Sequence, residues 1–231
     1  MWLGAAGLLS ACAPSRLRLP PAAGFPPADW SLSARERRTL QGSSDLALVV
    51  QGPKGAVLRR RCQPVPPALD LQGLSGRMER AMRKAGGVGL AGPQVGLSLR
   101  VATLMLDYKT RHPRVVFVRN PIISERSDGT IEGYEGCLSI PGVGGLVRRN
   151  RWIRIQHTAS DGQVLSTTAQ DHNAVLWQHE LDHLDGVLYT DRLLGALLPM
   201  EEVRRRREQQ RRGPASSPTS WLLDDEASLR L

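Results

Sequence analysis

The residues best able to do chemistry lie in one short stretch, His179-Glu180-Leu181-Asp182-His183. On a helix, two histidines four positions apart stand about 40° apart around the axis, so both imidazoles reach one ion. Glu180 follows the first histidine and can serve such an ion's surroundings without being a ligand. Metal-assisted hydrolysis needs this set: an open coordination position, a water made acidic by the cation, and a carboxylate to take its proton. Taken alone, the pattern is equally compatible with two ordinary helical histidines.

A catalytic site of this kind takes a third protein ligand. The metzincin peptidases place a His there, and although Gly186 keeps their spacing, the position holds Tyr189. The thermolysin-like peptidases use a downstream Glu; Glu201, Glu202 and Glu208 are available but sit in an Arg-rich polar stretch. Upstream stands Glu135-Gly136-Cys137-Leu138-Ser139. The Cys137 thiolate would suit a borderline metal, whereas a lone cysteine is more often a small buried hydrophobe. Further upstream, Gly87-Val88-Gly89-Leu90-Ala91-Gly92-Pro93-Gln94 is a Gly-rich loop. No Gly-Lys-Ser/Thr follows it, which argues against a phosphate loop.

Taken together and in order, the three segments resemble the polypeptide deformylase family. Its members carry Gly-x-Gly-x-Ala-Ala-x-Gln, then Glu-Gly-Cys-x-Ser, then Gln-His-Glu-x-Asp-His. This chain reads GVGLAGPQ at 87–94, EGCLS at 135–139 and QHELDH at 178–183. The resemblance runs from about Val49 to about Arg192. It implies an α+β fold of antiparallel sheets around a central helix that carries both histidines. It implies that Cys137, His179 and His183 bind one divalent transition ion, with iron(II) the native choice and zinc, cobalt or nickel alternatives. Glu180 would be the general acid/base. The Gln94 side-chain amide and the Leu138 backbone N–H would meet the oxyanion, and Val88, Gly89, Tyr134, Gly136, Val175 and Leu176 would touch the substrate. The implied reaction removes the formyl group from the N-terminal formylmethionine of new proteins, releasing formate.

Three positions depart from the family. Gly92 replaces an Ala, which should be sterically safe and should loosen the loop that holds Gln94. Asp171 stands where Gly is common. His172 falls where an apolar side chain usually lies near the methionine pocket, and its role stays open. A binding protein with a closed structural zinc site is the other reading, with Cys62 or His172 as fourth ligand. Neither Glu180 nor Gln94 would be needed for that.

The elements that must position these residues are partly legible. Apolar residues at 71, 74, 78, 81, 82 and 85 predict a helix over Leu69–Ala85. Asn173–Leu184 reads as a helix ended by Gly186. Leu46–Val50, Leu99–Leu106, Arg114–Arg119, Arg151–His157 and Gln163–Ala169 read as strands, with Asp161-Gly162 a hairpin signal.

The chain has 231 residues, 41% of them apolar, enough for one domain with extensions. The reading is a leader over 1–40 outside the fold, a catalytic domain over 41–200, and a basic helix with a loose tail over 201–231. In the leader, Arg16 and Arg18 precede the first acid, Asp29, which suits an organellar transit peptide. Leu9-Ser10-Ala11-Cys12 resembles a lipoprotein box, but no Lys or Arg precedes it. The expected address is the mitochondrial matrix, with a plastid the alternative. Three scattered cysteines make no disulfide framework. No apolar run reaches the roughly 18 residues of a membrane span. The formal charge of +9 is spread along the chain and proves no partner. The expected partners are formyl-Met nascent peptides and, through the Arg-rich stretch 201–212, an organellar ribosome; neither membrane nor DNA is expected.

Overall fold

The computed structural model describes residues 31–49, 52–159 and 162–212. Its centre is the helix that carries the two histidines, α3, over Asp171–Leu184. From Ala174 to Leu181 every residue is buried, so this is a core helix rather than an amphipathic surface one. Asp171 opens it at φ 51°, in the left-handed region. That explains why glycine is common at this position, and Asp is among the few other residues that tolerate it. The helix ends at Gly186, which has φ 73° and whose missing side chain would strike the Arg59 carbonyl.

One antiparallel sheet has the order β1-β2-β3-β6-β7: Gly89–Ala91, Val101–Leu106, Arg114–Arg126, Trp152–Thr158 and Val164–Gln170. Strand β2 alternates. Ala102, Leu104 and Leu106 join Leu176, Trp177 and Leu181 of α3 in one core cluster. Val101 turns instead toward Leu74, Met78 and Met82 of α2 (Leu74–Lys84), which form a second cluster. Each fully buried Leu or Met stabilises the fold by roughly 1.5–3 kcal/mol. A second sheet has the order β4-β5-β8: Thr130–Cys137, Ile140–Asn150 and Leu198–Pro199. Helix α3 contacts both sheets.

The expected α+β architecture is therefore present, with several corrections. Strands β4 and β5 are absent from the sequence reading, because Gly133, Gly136, Gly142, Gly144 and Gly145 dilute the strand signal. One of those glycines is a steric requirement: a Cβ at Gly144 would lie 2.7 Å from the Glu135 carbonyl oxygen, whereas one at Gly145 would meet only the end of the Leu193 side chain. The strand expected at Leu46–Val50 is absent over 46–49, and Val50 lies outside the described residues. Instead Leu46 and Leu48 pack on the second cluster, and the Val49 amide donates to the Gln94 carbonyl at 2.7 Å. The expected hairpin joins β6 to β7; Gly162 has φ 89°, while Asp161 is outside the described residues.

Both ends of the fold differ from the sequence reading. Ala34–Gln41 forms helix α1, opened by a Ser33–Glu36 capping box, and Leu32 and Leu40 are buried against α2. The packed residues thus include Leu32, so the fold reaches N-terminal of residue 41; residues 1–30 lie outside the described part. At the other end α4 spans Met200–Arg212 and buries Val203 completely. No helix among the described residues is long and apolar enough to cross a membrane.

Candidate metal centre

Strand β4 delivers Cys137 after a register shift between Gly136 and Cys137, and α3 delivers His179 and His183 from successive turns. One ligand atom from each of the three lies within 4.8 Å of the others, and all three residues are buried. Cys137 Sγ is 3.3 Å from His183 Nε2. One soft thiolate and two imidazoles at this separation fit a divalent transition ion. Cys62 and His172, the candidates for a fourth ligand, are not in the group. Cys62 packs with Ala91 and Leu184, and His172 meets the Tyr108 ring edge-on. Glu202 pairs with Arg205 and Arg206 instead.

A buried ion network holds the ligands from behind. His179 Nδ1 lies 2.9 Å from Glu135 Oε2. An ionised carboxylate only accepts, so Nδ1 carries the proton and Nε2 is left for a metal. Arg149 grips both Glu135 oxygens at 2.8 Å, and also donates to Asp182 at 2.5 Å. Asp182 takes a second fork from Arg192 at 2.6 and 2.7 Å. Burial alone would push the Glu135 carboxyl up, but the Arg149 guanidinium and the His179 ring hold it well below the usual carboxylate range. Tyr189, standing where a metzincin would have its third histidine, stacks on the His179 ring at 6.3 Å.

The opposite side of His179 is different. Glu180 is 1% exposed, and its Oε2 has no hydrogen-bond partner. Burial pushes this carboxyl up to about 7, against the pull of His179. Its other oxygen occupies the space that a side chain at residue 89 would need, next to Leu176 Cδ1. Gly89 is therefore a glycine because the carboxylate stands there. Gln94 donates from Nε2 to Cys137 Sγ at 3.5 Å, while its Oε1 accepts the Ala91 amide at 2.8 Å, which fixes the amide's orientation. Leu138 packs its side chain against Gly87.

The structure thus gathers Cys137, His179, His183, Glu180, Gln94, Gly89, Gly136 and Leu176 at one place, with Val88 and Val175 buried close by in the chain. Tyr134 is partly taken up elsewhere: its carbonyl accepts from Arg207 and its hydroxyl from Arg206, both on α4. Gly92 is a correction. A Cβ there would lie 2.6 Å from the Leu99 carbonyl oxygen and 2.9 Å from that of Leu97, and the turn is closed by Leu97 N–H to Gly92 at 2.9 Å. The glycine permits a close approach of backbones rather than loosening the loop. Sequence reasoning gave no role to Glu135, Arg149, Asp182 or Arg192. Glu135 and Asp182 sit inside the quoted motifs and could have been asked about; Arg149 carries no local signal, because only the β4–β5 pairing brings it to Glu135.

Comparison with known proteins agrees with this geometry. The profile of the family described as "Polypeptide deformylase" matches residues 47–196. Peptide deformylase 2 of Pseudomonas syringae pv. tomato is 37% identical over 145 residues, which cover 59% of this chain and 81% of that protein. The crystal structure of peptide deformylase from Thermus thermophilus superposes with a TM-score of 0.58 at 36% identity, covering 71% of this chain and 93% of that one. The Met-Ala-Ser-bound class I type b peptide deformylase of Acinetobacter baumannii gives 0.59 at 29% identity, covering 65% and 99%.

Proposed function

The chain belongs to the polypeptide deformylase family, as a metal-dependent enzyme that removes the formyl group from N-terminal formylmethionine, and we propose that it acts on new chains inside an organelle with Glu180 as proton carrier. The observation that carries the reading is the buried Cys137, His179 and His183 cluster with the Glu180 carboxylate beside it, unpaired on one oxygen.

Cys137, His179 and His183 would hold the ion, which when bound supplies a Lewis acid that polarises the formyl carbonyl and acidifies a water. Glu180 takes the proton as the water's oxygen attacks the formyl carbon. It then gives that proton to the leaving nitrogen as the C–N bond breaks, so formate and a free N-terminal amine result. The Gln94 amide and the Leu138 N–H donate to the oxygen on which charge builds; a donor of this kind is worth about 10²–10³ in rate. Val88, Gly89, Tyr134, Gly136, Val175 and Leu176 are proposed to line the place of the methionine side chain and peptide backbone. The Met-Ala-Ser held by the Acinetobacter relative supports a short peptide with N-terminal methionine as ligand. Iron(II) is the proposed native ion, and zinc, cobalt and nickel suit the same donors. Formate release from formyl-Met-Ala-Ser by protein purified without oxygen, with its metal content measured, tests the reading. Metal-loaded protein that releases no formate would overturn it.

The organellar address rests on the Arg-bearing, acid-poor leader. Because Leu32 and α1 are packed into the fold, cleavage is proposed before residue 32. A fusion of residues 1–45 to a fluorescent reporter should enter mitochondria or plastids; a diffuse cytosolic or secreted signal refutes the address. The exposed Arg204, Arg205 and Arg206 of α4 support contact with organellar ribosomal RNA. Charge reversal at Arg204 and Arg205 should reduce cosedimentation with organellar ribosomes at low salt, and unchanged pelleting would refute the contact.

A further inference from the structure

Away from the metal centre, a cavity of about 430 Å³ opens between α1, the segment 44–49 and the wall of α2. Three arginines line it, Arg35, Arg38 and Arg77, with Asp45 the single acidic residue. Arg77 is 5% exposed. Its nitrogens donate only to carbonyls, those of Thr39 at 2.8 Å, Leu40 at 2.6 Å and Gly73 at 3.4 Å. These bonds cap the end of α1 and use three of the five guanidinium donors, and no carboxylate balances the charge. A buried cation usually has a counter-charge, because desolvation costs several kcal/mol per ion. Burial and the neighbouring Arg80 both act against the charged form.

The rest of the cavity makes this worse rather than better. Arg35 and Arg38 are exposed, and neither side chain has an ion pair among the described residues. Asp45 lies 3.5 Å from Arg80, outside the lining, so its charge is already shared. Leu46, Ala47 and Leu48 also line the cavity, and their amides donate to no described backbone carbonyl. Repulsion among three cations round one space is relieved by an anion there. Guanidinium forks match a tetrahedral oxyanion, which accepts from several at once.

We propose that this cavity is a binding site for a phosphate group, carried either by a small phosphorylated molecule or by the backbone of single-stranded RNA. The site is independent of the deformylation reading, since no lining residue belongs to the metal centre.

The full chain and an Arg35→Glu/Arg38→Glu variant are compared, with Arg35→Gln/Arg38→Gln as the milder pair. Melting is followed in phosphate and in chloride at equal ionic strength, and binding of a fluorescent single-stranded RNA is titrated against salt. General salting effects of phosphate act on all variants alike, so the difference between proteins is the readout. Expected is phosphate stabilisation of the natural protein that is lost in the variants, with unchanged turnover of a short formyl peptide. RNA binding at least tenfold weaker in the variants, and displaced from the natural protein by phosphate, assigns the group to a polynucleotide. Loss of two contacts should then lower the salt slope by about 1.4. Phosphate stabilisation with RNA binding equal in all proteins assigns it to a small ligand. Equal responses to phosphate and RNA in all proteins, or none in any, overturn the site.

Discussion

Two carboxylates flank His179, both almost wholly buried, and the fold treats them in opposite ways. Glu135 is gripped on both oxygens by Arg149 and donated to by His179. Glu180 has one oxygen with no partner, and His179 is the one protein group that favours its ionised form. Burial pushes both toward the protonated form; the guanidinium reverses that for Glu135, and no protein group reverses it for Glu180. Burial therefore does not decide what an acid does here; the counter-charge does. One carboxylate is kept ionised to aim a ligand, and the other is left able to exchange a proton. The difference rests on Arg149, which lies on another strand and is invisible to the local motif.

Removing the reactive member should have the largest effect. Glu180→Gln is expected to keep its metal and lose about 10²–10⁴ in kcat, the span of a lost general acid/base. Metal analysis beside steady-state rates checks this, and substantial turnover with full metal occupancy would remove Glu180 from the chemistry. Breaking the pinned member should read out differently. Glu135→Gln removes one of the two carboxylates that balance buried Arg149 and leaves Asp182 as the other, so denaturant titration should show a loss of about 3 kcal/mol, the low end for breaking a buried ion pair. Metal affinity should fall roughly 10- to 100-fold as His179 Nδ1–H exchanges an anionic acceptor for a neutral amide oxygen. Equal stability and affinity would mean that the network is ornamental. A third substitution touches the reactive carboxylate indirectly. The added methyl of Gly89→Ala needs the space of Glu180 Oε1 and lies 2.8 Å from Leu176 Cδ1. The carboxylate must shift, so kcat should fall on the order of 10²-fold, a typical result of misplacement by about an ångström. Metal content should not change; if it falls instead, β1 supports the ligands and not Glu180.

What the sequence could and could not reveal follows the same division. The reactive side was readable, because His179, Glu180 and His183 lie within one helical turn and a half, and helical spacing is local. Strands β2, β6 and β7 were readable through their apolar runs. The supporting side was not. Arg149 meets Glu135 only after β4 and β5 pair, and the glycines that let those strands pack also hide them. Helix α1 carries a local Ser33–Glu36 capping signature that the reading of residues 1–40 as a leader passed over. The polar run of α4 suggested a detached surface helix, since Val203, the one buried residue among those of the helix whose burial is described, leaves no periodic stripe.

That helix supplies the last and smallest test, because it touches the pinned side of the comparison alone. Arg207 donates to the carbonyl of Tyr134, one residue before Glu135, and Arg206 reaches the Tyr134 hydroxyl at 3.3 Å. Val203 and Met200 fill the space above Gly144, which pairs with Gly136 across the sheet. Deleting residues 201–231 should therefore cost about 2 kcal/mol of stability, the order expected for one fully buried Val with its neighbours. The ends of β4 should loosen, and the metal should dissociate severalfold faster. Glu180 and Gly89 lie on α3 and β1, with no contact to α4 among the hydrogen bonds described, so kcat of the metal-loaded truncated enzyme on a short formyl peptide should change less than threefold or so, within roughly 0.7 kcal/mol. Metal release measured with a chromogenic chelator, beside kcat at saturating metal, separates the two sides. Faster release with intact kcat places α4 behind Glu135. A collapse of kcat at full metal occupancy would show that the helix also governs the reactive side, and that the two carboxylates are not positioned independently.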